Sequence, residues 1–160
     1  MARTVNLIEN HMIGDIIDVK SPGGRSVALK LSNASVEAHA DFQGDRLKGL
    51  VLDVKLSSSI SETHDEEDVT GEEAVAFLCR QQSDVIRNRL ISVIEKSRET
   101  KTDFLRLSRF ISLKHPGKWQ KMKAYWPEVL AEVSVDIRVS ANIGRSYDIY
   151  GPLVERGWIG

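Results

Sequence analysis

A run of about thirty residues without proline or glycine, from Glu72 to about Lys101, constrains this chain more than any other feature. Apolar and small side chains recur in it at spacings of three and four, which is the period of one helix face. Thr70 and Glu73 have the capping-box spacing that satisfies backbone donors at a helix start. At a rise of 1.5 Å per residue the predicted helix is roughly 45 Å long. Its predicted buried face consists of Val75, Leu78, Cys79, Gln82, Ile86, Leu90, Val93 and Ser97.

The part of the chain before this helix has the period of β-strands. In "SVALKLS", residues 26–32, apolar and polar side chains alternate, as they do in a strand with one buried face. The sequence "SPGGR" before it predicts a turn. Gly44 lies where a hairpin connection needs a residue that tolerates positive φ, so the two strands beside it are predicted to pair antiparallel. The strands predicted in this part cover residues 13–20, 26–32, 34–42 and 46–61.

After the long helix the chain predicts shorter elements and a final strand. Residues 104–113 are predicted to form a short helix or an irregular packed segment, closed by Pro116. A further short helix is predicted over residues 117–126, ending near Pro127. Residues 133–143 alternate apolar and polar without exception, which predicts a strand with one face in the core. Together these elements predict a single α+β domain over residues 1–160, with an antiparallel sheet packed against one long helix and short additional helices.

Composition limits the possible partners. The chain has 160 residues, of which 41% are hydrophobic and 28% charged, and its net charge is -1. It can therefore bury a substantial core, while its overall charge gives no general attraction to nucleic acid or to anionic membranes. No stretch of eighteen apolar residues occurs, so no membrane-spanning helix is predicted. The lone cysteine, Cys79, cannot form an internal disulfide.

The sequence predicts no catalytic, metal-binding or cofactor-binding residues. Residues 62–73 carry seven carboxylates, but a calcium loop starting at Asp65 would need glycine at its sixth position, where Thr70 stands. We therefore interpret the acidic run as a solvated loop. Cys79 lies in the apolar stripe of the long helix, where a thiol packs as a small hydrophobic group. The four histidines, His11, His39, His64 and His115, have no zinc-ligand spacing.

The stretch "KHPGKWQKMKAYWPE", residues 114–128, permits two interpretations. Basic residues interleaved with aromatic ones can neutralise phosphates and stack on bases, so a nucleic-acid-binding module is one alternative. In a helix, however, Trp119, Met122 and Trp126 fall on one face, which favours burial of both indoles against the sheet. A hydrolase built from scattered carboxylates is a third, weaker possibility. The basic patch of the first alternative consists of Lys114, Lys118, Lys121 and Lys123.

The order of landmarks in residues 81–145 resembles the C-terminal domain of the Ger(x)C spore-germination lipoproteins, the C subunits of nutrient germinant receptors. In that family a strand ending in Glu precedes a long helix, followed by an Asp segment, a proline, two tryptophans and an alternating strand that closes near a glycine. Ser108 departs from the pattern, since members usually carry glycine a few residues after the Asp. The residues that match are Glu62, Asp103, Pro116, Trp119, Trp126 and Gly144.

The resemblance implies a non-catalytic assembly or signalling domain, without a cofactor and without nucleic acid as a partner. It implies that the domain acts beside the integral-membrane A and B subunits of a germinant receptor, at the outer face of the inner spore membrane. By this resemblance the chain is expected to correspond to the last domain alone, without the lipid-bearing cysteine and the preceding domains. Contact with the membrane is then expected only through a lipid anchor outside this chain, and this chain alone is expected to be soluble.

Overall fold

The computed structural model describes residues 16–63 and 71–144, which contain four strands and four α-helices. A 3₁₀ turn, Lys123–Tyr125, connects the last two helices. In chain order the elements are β1 (Ile16–Lys20), β2 (Ser26–Gln43), β3 (Arg46–Thr63), α1 (Glu72–Thr100), α2 (Leu107–Lys114), α3 (Pro116–Met122), α4 (Trp126–Glu132) and β4 (Ser134–Gly144).

The strands form one sheet in the order β1-β2-β3-β4. β1 pairs antiparallel with β2, which places Ile17 opposite Leu29. β2 and β3 form the predicted hairpin, whose connection uses Gly44 at a φ of 63°. β4 runs in the same direction as β3, because β4 begins near Gly49 of β3 and ends near Ser58, farther along β3. The α+β class with a sheet and one long helix is confirmed. The sheet is mixed, because β4 is parallel to β3 while β1, β2 and β3 are antiparallel. The helices between β3 and β4 supply the crossover that a parallel neighbour needs.

β2 is a single strand of 18 residues where the sequence predicted two. Two successive residues, Ser32 and Asn33, are both exposed, and the buried face changes there from odd to even positions. The strand does not end at this point. There the Ser32 hydroxyl donates a hydrogen bond to the Ser57 carbonyl of β3 at 3.0 Å. A change of phase in the apolar pattern therefore marks an irregularity within the strand and not a break.

α1 has 29 residues and follows the predicted helix closely. The first helical bond joins the Val75 amide to the Gly71 carbonyl at 2.9 Å, whereas Thr70, the predicted cap, lies outside the described residues. The helix ends where Lys101 adopts a φ of 57°. Of the predicted face, Leu78, Gln82, Ile86, Leu90 and Ser97 are buried, Val75, Cys79 and Val93 are half-buried, and Ala74 and Ile94 are buried in addition.

The prediction that a helix ends near Pro127 is wrong. α3 ends at Met122, and Pro127 lies in the first turn of α4. Proline is compatible with a first turn because the amide that it lacks has no acceptor within the helix. Pro116 is the first residue of α3, and α2 ends before it at Lys114, which agrees with the predicted segment closed by Pro116.

The chain divides into two compact units, each with its own buried residues. The unit that includes residues 35–54 and 86–138 contains the β2–β3 hairpin end, the second half of α1 and the helices α2 to α4. Its core includes Leu50, Ile86 and Leu130, and α1 is joined to β4 by a hydrogen bond from Arg87 Nε to the Ile137 carbonyl at 3.2 Å.

The other unit includes residues 16–34, 55–63, 71–85 and 139–144 of the described chain. Its core includes Leu29 and Leu78, and Gln81 of α1 bonds to the backbone of Lys20 in β1.

In β4, Ile137 and Ile143 are buried, but Val135, Val139 and Ala141 are half-buried, so the alternating face is less enclosed than the sequence predicted.

Candidate functional site

The Asp103 carboxylate organises the segment that follows α1. Its Oδ1 accepts a hydrogen bond from the Leu107 amide at 2.9 Å, and its Oδ2 accepts one from the Ser108 amide at 2.9 Å. These are the first two amides of α2, which have no acceptor within the helix. A third donor, the indole Nε1 of Trp126, lies 3.0 Å from Oδ2. The carboxylate therefore caps one helix and fixes the first side chain of another.

The two tryptophans form an edge-to-face pair beside this carboxylate. The ring centroids of Trp119 and Trp126 are 5.5 Å apart, with an interplanar angle of 71°. Trp126 is only 7% exposed, and Trp119 is half-buried. The indole of Trp126 is thus enclosed and its polar edge is satisfied, which is how a tryptophan packs in a core.

The structure brings three of the six motif residues into direct contact, namely Asp103, Trp119 and Trp126. Pro116 starts α3 and thereby begins the helix that carries Trp119. Glu62 is the next-to-last residue of β3, and Gly144 is the last residue of β4. Both of these belong to the other compact unit.

Three lysines of the basic patch bind the β2–β3 hairpin. Lys114 Nζ lies 2.7 Å from the Ala38 carbonyl, and Lys118 Nζ lies 2.8 Å from the Gly44 carbonyl. Lys121 forms an ion pair with Asp45 at 2.8 Å.

Each of the three lysines donates a hydrogen bond to the hairpin. This favours a role in anchoring the hairpin over phosphate binding. Lys123, the fourth lysine of the patch, is exposed.

Lys121 changes the acidity of its partner. The hydrogen bond and the charge of Lys121 lower the pKa of Asp45 below its ordinary value of 3.8, and the charge of Lys118 acts in the same direction. The carboxylate is therefore ionised at neutral pH, and the pair persists there.

An aromatic contact supports the same junction between α3 and the hairpin. The Lys118 ammonium lies 4.5 Å from the centroid of the Phe42 ring, within the range of a cation–π interaction. The imidazole of His115 approaches the same ring edge-on, with centroids 4.9 Å apart. His115 thus has a packing role.

A groove of 370 Å³ lies between the hairpin connection and the segment from α3 to α4. Leu47, Met122 and Val133, all buried, form its floor. Arg46 and Tyr125 line it at the surface, and Tyr125 is 55% exposed. We call this feature the hairpin groove. Its remaining lining residues are Asp45, Lys48, Lys121, Val129 and Glu132.

The other candidate residues of the sequence do not form a reactive centre among residues 16–63 and 71–144. In this part of the chain no three His, Cys, Asp or Glu side chains are placed to hold a metal ion. His39 lies on the exposed side of β2, with Nε2 3.3 Å from Asp53 Oδ2. Burial raises the pKa of the Cys79 thiol, which favours its neutral form. His11, His64 and the calcium-loop candidates 65–70 lie outside the described residues.

Sequence reasoning missed the residues of the hairpin that receive the lysines. Phe42, Gly44 and Asp45 are separated from their lysine partners by about 75 positions, so no local spacing connects them. The one available signal was the outward placement of the lysines when both tryptophans face inward.

In the part of the chain that the structure describes, no helix is long and apolar enough to cross a membrane. A family model described as "Spore germination B3/GerAC like, C-terminal" matches residues 1–147. A solved structure described as "Crystal Structure of the GerBC protein" has a similar fold, with a TM-score of 0.69 at 18% sequence identity. The similarity covers 88% of this chain but only 43% of the GerBC chain, so this chain spans less than half of that protein. No curated protein matches the chain.

Proposed function

Because the chain belongs to the spore germination B3/GerAC-like C-terminal family, we propose that it is the C-terminal domain of the C subunit of a nutrient germinant receptor. In this role it is a non-catalytic assembly or signalling domain in spore germination. The observation that carries the proposal is the family match, which extends over residues 1–147 of the 160-residue chain. The GerBC similarity supports the fold that this role requires.

The chemistry of the motif residues supports a non-catalytic role. A general acid or base needs a carboxyl group that can exchange a proton with a substrate. The Asp103 carboxylate instead accepts hydrogen bonds from two backbone amides and from Trp126. The Cys79 thiol has a raised pKa and is therefore a poor nucleophile. The Asp103 carboxylate thus acts as a hydrogen-bond acceptor within the fold.

The partners in this proposal are the integral-membrane A and B subunits of the receptor. A lipid anchor in the full-length protein holds the domain at the outer face of the inner spore membrane. Confinement to that surface raises the effective concentration of the domain near its partners, so docking does not need an intrinsically tight interface. The expected interaction of the free domain is therefore weak.

The test uses spores in which the gene of the full-length C subunit is deleted. Three versions are returned: the lipidated full-length protein, the same protein with its lipid-bearing cysteine changed to serine, and this domain alone. Only the first is expected to restore the fall in optical density after nutrient addition. A trigger that bypasses nutrient receptors serves as the control for spore integrity, and immunoblots confirm equal protein levels.

Two outcomes would contradict the proposal. If the domain alone restored the nutrient response, membrane confinement would play no part. If a full-length protein truncated before this domain responded normally, the domain would have no role in germination.

A further inference from the structure

The hairpin groove has the construction of a binding site for a protein segment. Its floor consists of three apolar residues, Leu47, Met122 and Val133, which are 6%, 5% and 3% exposed. Two contacts join α3 to the hairpin connection beside the groove: Lys118 bonds to the Gly44 carbonyl, and Lys121 pairs with Asp45. The groove therefore exists before any partner binds, so a partner does not bear the cost of forming it.

The groove lining carries more positive charge than negative charge. Lys121 and Asp45 neutralise each other at 2.8 Å. Arg46 and Lys48 remain, both exposed, and neither is paired with a carboxylate of residues 16–60 or 71–144. Against these two cations the lining holds one further acid, Glu132. The groove thus attracts a single carboxylate beside its apolar floor.

The shape of the groove favours a peptide over a small molecule. A volume of 370 Å³ is near the lower end of small-ligand pockets, which cover about 300–1,000 Å³. Such pockets enclose most of their ligand, whereas six of the ten residues that line this groove are exposed, Tyr125 at 55%. An aromatic residue that is exposed beside an apolar floor is typical of protein interfaces. Nucleic acid binding depends on several phosphate contacts, whereas this groove offers two cations that are not paired within it, Arg46 and Lys48.

We propose that the hairpin groove docks a segment of a partner protein that presents an acidic side chain next to an apolar one. The apolar side chain covers Leu47, Met122 and Val133, and the carboxylate binds between Arg46 and Lys48. The identity of that partner as a component of the germinant receptor rests on the proposed function above. The chemistry of the groove does not, and it is tested without germination.

The test is an NMR titration of the ¹⁵N-labelled 160-residue chain with the peptide acetyl-Leu-Glu-Leu-amide. Saturable shifts are expected at the amides of Leu47, Met122 and Val133. The neutral peptide acetyl-Leu-Gln-Leu-amide is expected to bind more weakly. The double variant Arg46→Glu/Lys48→Glu is expected to bind the acidic peptide at least about fivefold more weakly, since two attractive charges become repulsive.

Two further variants sharpen the test. Lys30→Glu/Lys55→Glu reverses the same number of charges at exposed residues that do not line the groove, and it is expected to bind normally. Glu132→Gln removes the one unpaired acid of the lining and is expected to strengthen binding. An unchanged urea midpoint shows that each variant is folded.

Several results would overturn the proposal. They are the absence of shifts at millimolar peptide, shifts confined to other residues, equal binding of the two peptides, and normal binding by Arg46→Glu/Lys48→Glu. Equal affinity for free N-acetyl-leucine would show that the groove takes a small carboxylate and not a protein segment. A germination defect in the absence of peptide binding would leave the proposed function standing and remove the groove from it.

Discussion

At the scale of single residues, the Asp103 carboxylate connects two helices that follow one another in the chain. Two of its hydrogen bonds go to the first amides of α2, and the third goes to the indole of Trp126 at the start of α4. Removal of the carboxylate would leave the Trp126 donor without its acceptor at a position that is 7% exposed. An unpaired buried donor costs more than the bond itself contributes.

We expect Asp103→Ala to lower the free energy of unfolding by roughly 2–4 kcal/mol, since it removes a helix cap and a charged acceptor. Trp126→Phe keeps an aromatic ring but removes the indole donor, so its expected cost is smaller, roughly 1–2 kcal/mol. Urea denaturation measures both. An unchanged midpoint for Asp103→Ala, with an unchanged slope, would show that the three hydrogen bonds do not stabilise the fold.

The ion pair of Asp45 with Lys121 predicts a specific pH dependence. Because the hydrogen bond and charge of Lys121 lower the pKa of Asp45 below 3.8, the pair stabilises the hairpin from about that value up to neutral pH. The stabilisation is lost as the pH falls through the lowered pKa, when the carboxylate becomes protonated.

The carboxyl ¹³C resonance of Asp45 is expected to titrate below 3.8 in the parent chain and closer to 3.8 in Lys121→Ala. Lys123→Ala is the control, since no contact joins this exposed lysine to Asp45. Identical titration midpoints in the parent and in Lys121→Ala would mean that the ion pair does not persist in solution.

The sequence predicted the direction of these side chains but not their partners. Spacing in one continuous helix placed Trp119 and Trp126 on one face. The structure instead divides them between α3 and α4, and their rings are in contact. The same spacing turned Lys118 and Lys121 away from that face. That they meet the hairpin depends on how α3 packs against residues about 75 positions earlier, and no local period encodes this.

At the scale of elements, α1 contains two adjacent glutamines with opposite environments. Gln81 bonds to the backbone of Lys20 through both its carbonyl oxygen and its amide. Gln82 is fully buried, and within the described ranges, 16–63 and 71–144, neither its oxygen nor its nitrogen has a hydrogen-bond partner. One glutamine joins the helix to the sheet, whereas the other places an unpaired amide group in the core.

This contrast gives two substitutions with opposite expected effects. Gln82→Met keeps the length of the side chain and removes the unpaired polar atoms, so we expect it to raise the free energy of unfolding by about 1–2 kcal/mol. Gln81→Met removes two hydrogen bonds to β1 and is expected to lower it by about 1–3 kcal/mol. Thermal and urea unfolding measure both. A destabilised Gln82→Met would show that the amide has a partner in solution.

The boundaries of elements were predictable where one local signal acted alone. The perfect alternation of residues 133–143 predicted β4, and the long run of residues without proline or glycine predicted α1. Prediction failed where the same residue permits two structures. Pro127 is compatible with both the end and the first turn of a helix, and in the structure it lies in a first turn.

At the scale of the whole molecule, the family match covers residues 1–147, and the GerBC similarity supports the fold over 88% of this chain and 43% of the GerBC chain. A domain of this size can bury its own core and fold without further chain. The sequence predicted one domain over residues 1–160, and this stays a prediction, because the structure divides the chain into two compact units.

Those units have boundaries that fall inside continuous elements. The chain passes from one unit to the other at residues 34–35 within β2, 54–55 within β3, 85–86 within α1 and 138–139 within β4. Helix formation is cooperative, so loss of the hydrogen bonds in one half of α1 destabilises the adjacent turns of its other half. We therefore expect the chain to unfold in one cooperative transition.

Two probes report on the units separately. The fluorescence of Trp119 and Trp126 reports on the unit of residues 86–138, with Trp158 replaced by phenylalanine to remove its signal. Cys79 is the single cysteine of the chain and lies in the other unit, so its labelling by a thiol reagent in urea reports on that unit. Coincident midpoints and slopes are the expected result, because each element that crosses a boundary couples the two halves. If Cys79 became reactive at a urea concentration where the tryptophan signal was still native, the units would unfold independently and the chain would not be a single domain.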